Sequence, residues 1–278
     1  MKILITNDDG YKARGLEALI ETMRPFGDIT VVAPKYHQSG MSMAISLGFK
    51  RIAVKQIAPD RWYLDGTPAS CVKFGIDNIM VGDKRPDVVI CGINHGSNAA
   101  TAALYSGTLG AAQEAAVNGI LGIGVSLDDF SPEGDFSAIK ALLPDIFRKL
   151  CSDLPGKRGV YYNINFPKAK LEDVKGVKLA GLGRLHWEEE YQPFDPEIYA
   201  KRGLYLQDMG MSDLPEPEEG EDYYMMTGYA VESPGNDDLS DHRLLKEGYV
   251  AIVAHNIYNQ DHEEYDRLKA LHLEEIHK

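Results

Sequence analysis

The sequence predicts an α/β protein built on a doubly wound, mostly parallel sheet. Short apolar runs alternate with segments of helical periodicity through the first half of the chain. The runs are apolar throughout rather than alternating, as strands covered on both faces are. Turn-forming residues follow several of them, the sites where such sheets place their loops.

In order, Lys2–Thr6 is an apolar run closed by Asn7-Asp8-Asp9-Gly10, and Leu16, Leu19, Ile20 and Met23 then repeat at helical spacing. Ile29–Ala33 is β-branched and stops at Pro34, and Ile52–Lys55 and Trp62–Leu64 are expected to form a hairpin. Thr67-Pro68 reads as an N-cap with a first-turn proline, opening a helix through about Met80. Asp87–Cys91 is a further strand, Ser106–Asn118 a helix rich in small residues, and Ile120–Ser126 a strand. Ile139, Leu142, Leu143, Ile146 and Leu150 mark one more amphipathic helix.

Residues 1–150 are thus expected to form the catalytic core. Residues 151–278 are expected to extend its sheet as part of one structural unit, through Val160–Asn165, Val177–Leu182 and Gly248–Ala254. Leu204–Leu206 and Tyr223–Tyr229 are expected to pair as a protruding hairpin arm, with acidic Ser212–Asp222 as its loop. Asp261–Lys278 reads as a terminal helix.

The 278 residues carry a net charge of −13. Residues 1–135 hold 12 basic and 15 acidic side chains, and residues 136–278 hold 17 and 27. Such a chain repels polyanions, so neither a nucleic-acid polymer nor an anionic membrane is an expected partner. No apolar run approaches the ~20 residues that span a bilayer. Met1-Lys2-Ile3 leads straight into a strand without a signal-peptide pattern, so a cytoplasmic location is expected. Cys71, Cys91 and Cys151 lack a C-x-x-C spacing and suit buried, reduced thiols.

Ligands of open α/β sheets bind outside the carboxyl ends of the strands. Three loops fall there: Asn7–Gly10, Pro34–Gly40 and Gly92–Asn98. Taken singly, each is ordinary turn chemistry. Together they offer two carboxylates, a hydroxyl and an amide oxygen, hard donors that favour magnesium or manganese over zinc. Adjacent carboxylates repel, and a dication removes that penalty. The competing reading is a pair of solvated turn aspartates.

Tyr105-Ser106-Gly107-Thr108-Leu109-Gly110 opens the next helix with hydroxyls, free N–H groups and glycines that let the backbone come close, which suits a phosphate. Asn98, just upstream, could donate to the same anion or be a left-handed loop asparagine, while Ser106 taken alone reads better as a simple N-cap. A metal beside an anion pocket supports phosphoester hydrolysis by in-line attack of a metal-activated water. Asp8 is the preferred acceptor of the water proton, and His37 and His95 are further acid–base candidates.

These segments carry a resemblance. Ile3–Gly10, Val31–Gly40, Gly66–Val72, Pro86–Asn98 and Tyr105–Glu114 resemble, in order and spacing, the motifs of the SurE (survival protein E) family. The resemblance implies a Rossmann-like core and hydrolysis of nucleoside 5′- and 3′-monophosphates, sometimes with release of phosphate from short polyphosphate. It implies one divalent ion per subunit, magnesium or manganese, on Asp8, Asp9, Ser39 and Asn94. It places the phosphate on Asn98, Ser106, Gly107 and Thr108, with Asp8 and Asp9 catalytic. It also implies a homodimer or homotetramer with C-terminal segments exchanged or packed between subunits. Where the family usually has a glycine after Asn98, this chain has Ala99-Ala100-Thr101, and Ala251–Ile257 departs from the family's continuation.

A receiver-type signalling domain would need an aspartate at the end of Asp87–Cys91, where Gly92-Ile93-Asn94 stands. A dinucleotide-binding oxidoreductase would need G-x-G-x-x-G after the first strand, where Asn7-Asp8-Asp9-Gly10 stands. A module that binds nucleotides without turning them over is the alternative that phosphate release would decide.

Overall fold

The structure is a computed structural model that describes residues 1–46, 51–131, 133–201, 205–214 and 216–271. The core runs β1 (Lys2–Thr6), α1 (Arg14–Met23), β2 (Asp28–Pro34), β3 (Val54–Ala58), β4 (Arg61–Leu64), α2 (Pro68–Phe74), β5 (Val88–His95), α3 (Gly107–Val117), β6 (Leu121–Leu127) and α4 (Ser137–Ser152). It continues through β7 (Val160–Phe166), β8 (Val177–Leu179), β9 (Leu185–Glu188), β10 (Tyr191–Pro193) and α5 (Pro196–Lys201). The last elements are β11 (Tyr224–Met226), β12 (Tyr229–Glu232), α6 (Asp241–Lys246), β13 (Val250–Asn256) and α7 (His262–Lys269).

Among the described residues, nine strands form one sheet in the order β3-β4-β2-β1-β5-β6-β7-β13-β8. From β4 to β7 every neighbour is parallel; β3 closes one edge antiparallel to β4, and β13 runs antiparallel to β7. Period-two side chains explain the two cores. Ile3 and Ile5 face α1 and α4 with Leu16, Leu19 and Phe147, while Leu4 faces α2 with Val72 and Ile76. Each such buried side chain contributes about 1.5–3 kcal/mol.

β1 lies between β2 and β5, and the chain leaves these two strands in opposite directions across the sheet. That reversal opens a crevice at the carboxyl ends of β1 and β5, where doubly wound sheets bind their ligands. α1 reaches this edge because residue 15 is glycine: a Cβ there would stand 2.2 Å from the carbonyl oxygen of Ile93.

The arm differs from the sequence expectation. Tyr224–Met226 pairs with β10, and Tyr229–Glu232 pairs with β9. Leu206–Met209 is a 3₁₀ turn, and Leu204 lies outside the described residues. The pairing partners sit in Leu185–Pro193, whose Leu185/Trp187 alternation is interrupted by Glu188-Glu189-Glu190 and so lacks a continuous strand pattern. The helix from Pro68 ends its α-helical part at Phe74 and continues to Ile79 as a π turn. The final helix is seen over His262–Lys269, and residues 272–278 lie outside the described residues. No helix among the described residues is long and apolar enough to cross a membrane.

Candidate active site

Three loops meet at the switch point, joined by hydrogen bonds. The Asp8 carbonyl accepts from Gln38 N–H at 2.7 Å, and the Pro34 carbonyl accepts from Tyr11 N–H at 2.8 Å. Asp9 Oδ2 accepts from His95 N–H at 3.3 Å, and His37 Nδ1 lies 3.6 Å from Asp9 Oδ1. The end of β1, the loop after β2 and the end of β5 are therefore tied together.

The start of α3 closes the other side. Thr108 Oγ1 donates to Asp8 Oδ1 at 2.7 Å, and Thr108 N–H donates to Asp8 Oδ2 at 3.2 Å. Gly107 permits this approach, since a Cβ there would lie 3.0 Å from Asp8 Cβ and 2.9 Å from the Gln38 carbonyl oxygen. Asp8 thus sits on the positive end of the helix.

The electrostatics are unusual. Asp8 is 3% exposed. Burial raises its carboxyl above the ordinary range despite the Thr108 bonds. Burial, then the neighbouring Asp8 charge, hold the Asp9 carboxyl well above that range. The side chain beside Asp9 is the His37 imidazole, and no lysine or arginine forms an ion pair with either carboxylate among the described residues. Burial also lowers His37 and His95, which are therefore neutral near pH 7. The His37 imidazole offsets the burial of Asp8 only in part.

A hard dication fits these residues. It would relieve the like-charge repulsion between Asp8 and Asp9. Asn94 spends its amide N–H on the Gly96 carbonyl at 2.8 Å, which leaves its amide oxygen for a cation. Ser39, one residue beyond the Gln38 bond to Asp8, is exposed and its hydroxyl makes no hydrogen bond among the described residues. Asn7 Oδ1, beside the pair, is buried without a partner. No group of three His, Cys, Asp or Glu side chains that could hold a metal forms among the described residues, so the fitting set is mixed carboxylate, amide and hydroxyl oxygen.

On the anion side, Ser106 Oγ accepts from Leu109 N–H at 3.1 Å and caps α3. Asn98 Nδ2 donates to Ser126 Oγ at 2.9 Å, and Asn165 Oδ1 accepts from Asn98 N–H at 2.8 Å. Ala100, in the Ala99-Ala100-Thr101 stretch, adopts φ +52°. Its N–H reaches Asp241 Oδ2 at 2.9 Å. Ser126, Asn163, Asn165 and Asp241 escaped the sequence reading. A signal existed: Asn163 and Asn165 fall on one face of an otherwise apolar strand, where an amide is costly unless it is bonded.

A buried acidic pair at the switch point, against the start of a small-residue helix, marks an α/β protein whose candidate site lies at the carboxyl ends of its strands. The family model for survival protein SurE matches residues 3–189. The chain belongs to that family. It is 37% identical over 257 residues to the 5′-nucleotidase SurE of Christiangramia forsetii, covering 90% of this chain and 89% of that one. With the 5′-nucleotidase SurE of Bacteroides fragilis it shares 31% over 278 residues, 98% and 97% of the two chains. The crystal structure of the SurE protein from Aquifex aeolicus superposes with a TM-score of 0.76 at 26% identity, covering 97% of this chain and 99% of that one.

Proposed function

We propose that the chain is a divalent-metal-dependent 5′-nucleotidase that releases orthophosphate from nucleoside monophosphates. Family membership and the 5′-nucleotidase name of its relatives support the reaction class. The observation that carries the site assignment is the Asp8–Asp9 pair, buried against Thr108 with neutral histidines beside it.

In this reading Asp8, Asp9, Ser39 and Asn94 hold one magnesium or manganese ion. When bound, that ion neutralises the pair and supplies Lewis-acid polarisation of a phosphoryl oxygen. The α3 N-terminus at Ser106, Gly107 and Thr108, together with Asn98, holds the phosphate by N–H, amide and hydroxyl donors. Thr108 also orients Asp8, so one residue serves both subsites. His37, 3.6 Å from Asp9 Oδ1, is positioned to exchange a proton with the pair or with the leaving oxygen. Hydrolysis of 3′-monophosphates and short polyphosphates, a homodimer or homotetramer and a cytoplasmic location complete the proposal. So does a single unit in which residues 151–278 support the core.

Phosphate release from a panel of nucleoside monophosphates, with magnesium, manganese or EDTA, tests it. Release from AMP that requires a divalent ion is expected. Binding of AMP without release under any divalent ion would favour the nucleotide-sensing module.

A further inference from the structure

We infer that Ser126, Asn163 and Asn165 are positioning residues that hold the Asn98 loop in its phosphate-binding form. This rests on the reading of Asn98 as a phosphate contact.

After Gly96, whose N–H donates to the Leu127 carbonyl, side chains take the place of strand partners in this loop. Asn165 Oδ1 accepts the Asn98 N–H at 2.8 Å, Ser97 Oγ accepts the Ala99 N–H at 3.1 Å, and Asp241 Oδ2 accepts the Ala100 N–H. The Asn98 carbonyl accepts from Asn163 Nδ2 at 2.8 Å. Asn165 Nδ2 in turn donates to Asn163 Oδ1 at 2.8 Å, which locks the two amides into one orientation. Ser126 Oγ accepts one N–H of the Asn98 side chain and leaves the second for an oxyanion.

Ser126, Asn163 and Asn165 are all 0% exposed. Apolar residues of similar volume would fill this space without a desolvation cost. The three polar groups are tolerated because they are paired, and three of the four bonds among them end on Asn98. Sheet register fixes the frame, since Ser126 and Asn165 are direct partners across β6 and β7. The loop also stores strain at Ala100, a non-glycine residue at φ +52°, as loops at functional sites often do. Two neighbouring strands thus fix the Asn98 amide, the group that the proposed function assigns to the phosphate.

The test is calorimetric titration of the full, manganese-loaded chain with inorganic phosphate, alongside a manganese titration of each metal-free variant. Ser126→Ala and Asn165→Leu are each expected to weaken phosphate binding by about tenfold, the scale of one lost positioning bond. Manganese affinity is expected to stay within about twofold, because the ladder does not touch the carboxylate pair. Asn165→Asp keeps an acceptor for the Asn98 N–H but loses the donor to Asn163 Oδ1 and buries a negative charge, so it is expected to weaken phosphate binding as well. For AMP hydrolysis, KM is expected to rise more than kcat falls. Ser126→Ala removes one hydroxyl oxygen from a strand and serves where Asn165→Leu does not fold. Phosphate binding within twofold of wild type in folded variants overturns the inference, as does an equal loss of metal affinity. Phosphate affinity is read without turnover. Ladder-dependent binding with no release from AMP would therefore sink the nucleotidase reading and leave this inference standing.

Discussion

Thr108 holds Asp8 twice, through its hydroxyl at 2.7 Å and its N–H at 3.2 Å. A residue of the first turn of α3 therefore orients a proposed metal carboxylate. In the proposed function, the cation and phosphate subsites are linked by this contact between α3 and the end of β1.

Thr108→Val keeps the side-chain volume and deletes the hydroxyl donor. A hydrogen bond to a charged group contributes about 1.5–3 kcal/mol, so kcat/KM for AMP is expected to fall about 10- to 100-fold. Manganese affinity is expected to drop with it, because Asp8 loses its orientation. Steady-state kinetics and calorimetry check this; a fall in kcat/KM with unchanged manganese affinity would leave Thr108 a phosphate contact alone, and no change in either would remove its hydroxyl from the site.

Asp9→Asn is nearly isosteric and removes one of the two like charges. Metal-dependent turnover is expected to fall at least about a thousandfold, the scale on which a catalytic electrostatic group acts. The metal-free variant is expected to melt no lower than wild type at neutral pH, since a buried repulsion has gone. A variant with near-normal activity would remove Asp9 from the metal site.

The same pair sets a pH dependence of stability. Both carboxyls are raised in the folded protein by burial, and Asp9 further by Asp8. A raised carboxyl favours the fold fully below its unfolded value of about 4, and that contribution is lost as pH rises through the folded value. Metal-free wild type is therefore expected to lose melting temperature relative to Asp9→Asn as pH climbs from about 4 to 8. Manganese, by binding the folded state, is expected to reverse the trend. Parallel pH curves for the two proteins would contradict the coupling.

Ser106→Ala deletes the cap of α3. Loss of an N-cap costs about 1 kcal/mol, a drop of about 2–4 °C in Tm for a chain of this size. Phosphate binding is expected to weaken by more than manganese binding. Equal losses of both would show Ser106 to be a cap without a phosphate role.

Much of this was legible in the sequence because it is written locally. Ile3, Leu4 and Ile5 form an unbroken apolar strand, and the structure sends alternate residues into two different cores. Asp8, Asp9, Asn94 and Ser106 stand at predicted element ends, where doubly wound sheets collect ligands. The arm was harder to read, because β9 pairs with β12 across some forty residues and is followed by a run of glutamates. Short strands of mixed polarity owe their pairing to distant partners, which local periodicity cannot register. The same holds for Asn163, Asn165 and Asp241. Each serves a loop far away in sequence, and pattern alone marks it only as an odd polar residue in an apolar setting.

The central claim is that one cation binds the oxygens of Asp8, Asp9, Ser39 and Asn94 beside the start of α3. Anomalous diffraction from a crystal soaked in manganese measures this directly. A single peak within about 2–2.5 Å of oxygen atoms from Asp8, Asp9 and Asn94, with Ser39 in the same coordination sphere, is the predicted result. A peak elsewhere, or none at a manganese concentration that supports phosphate release, would contradict it.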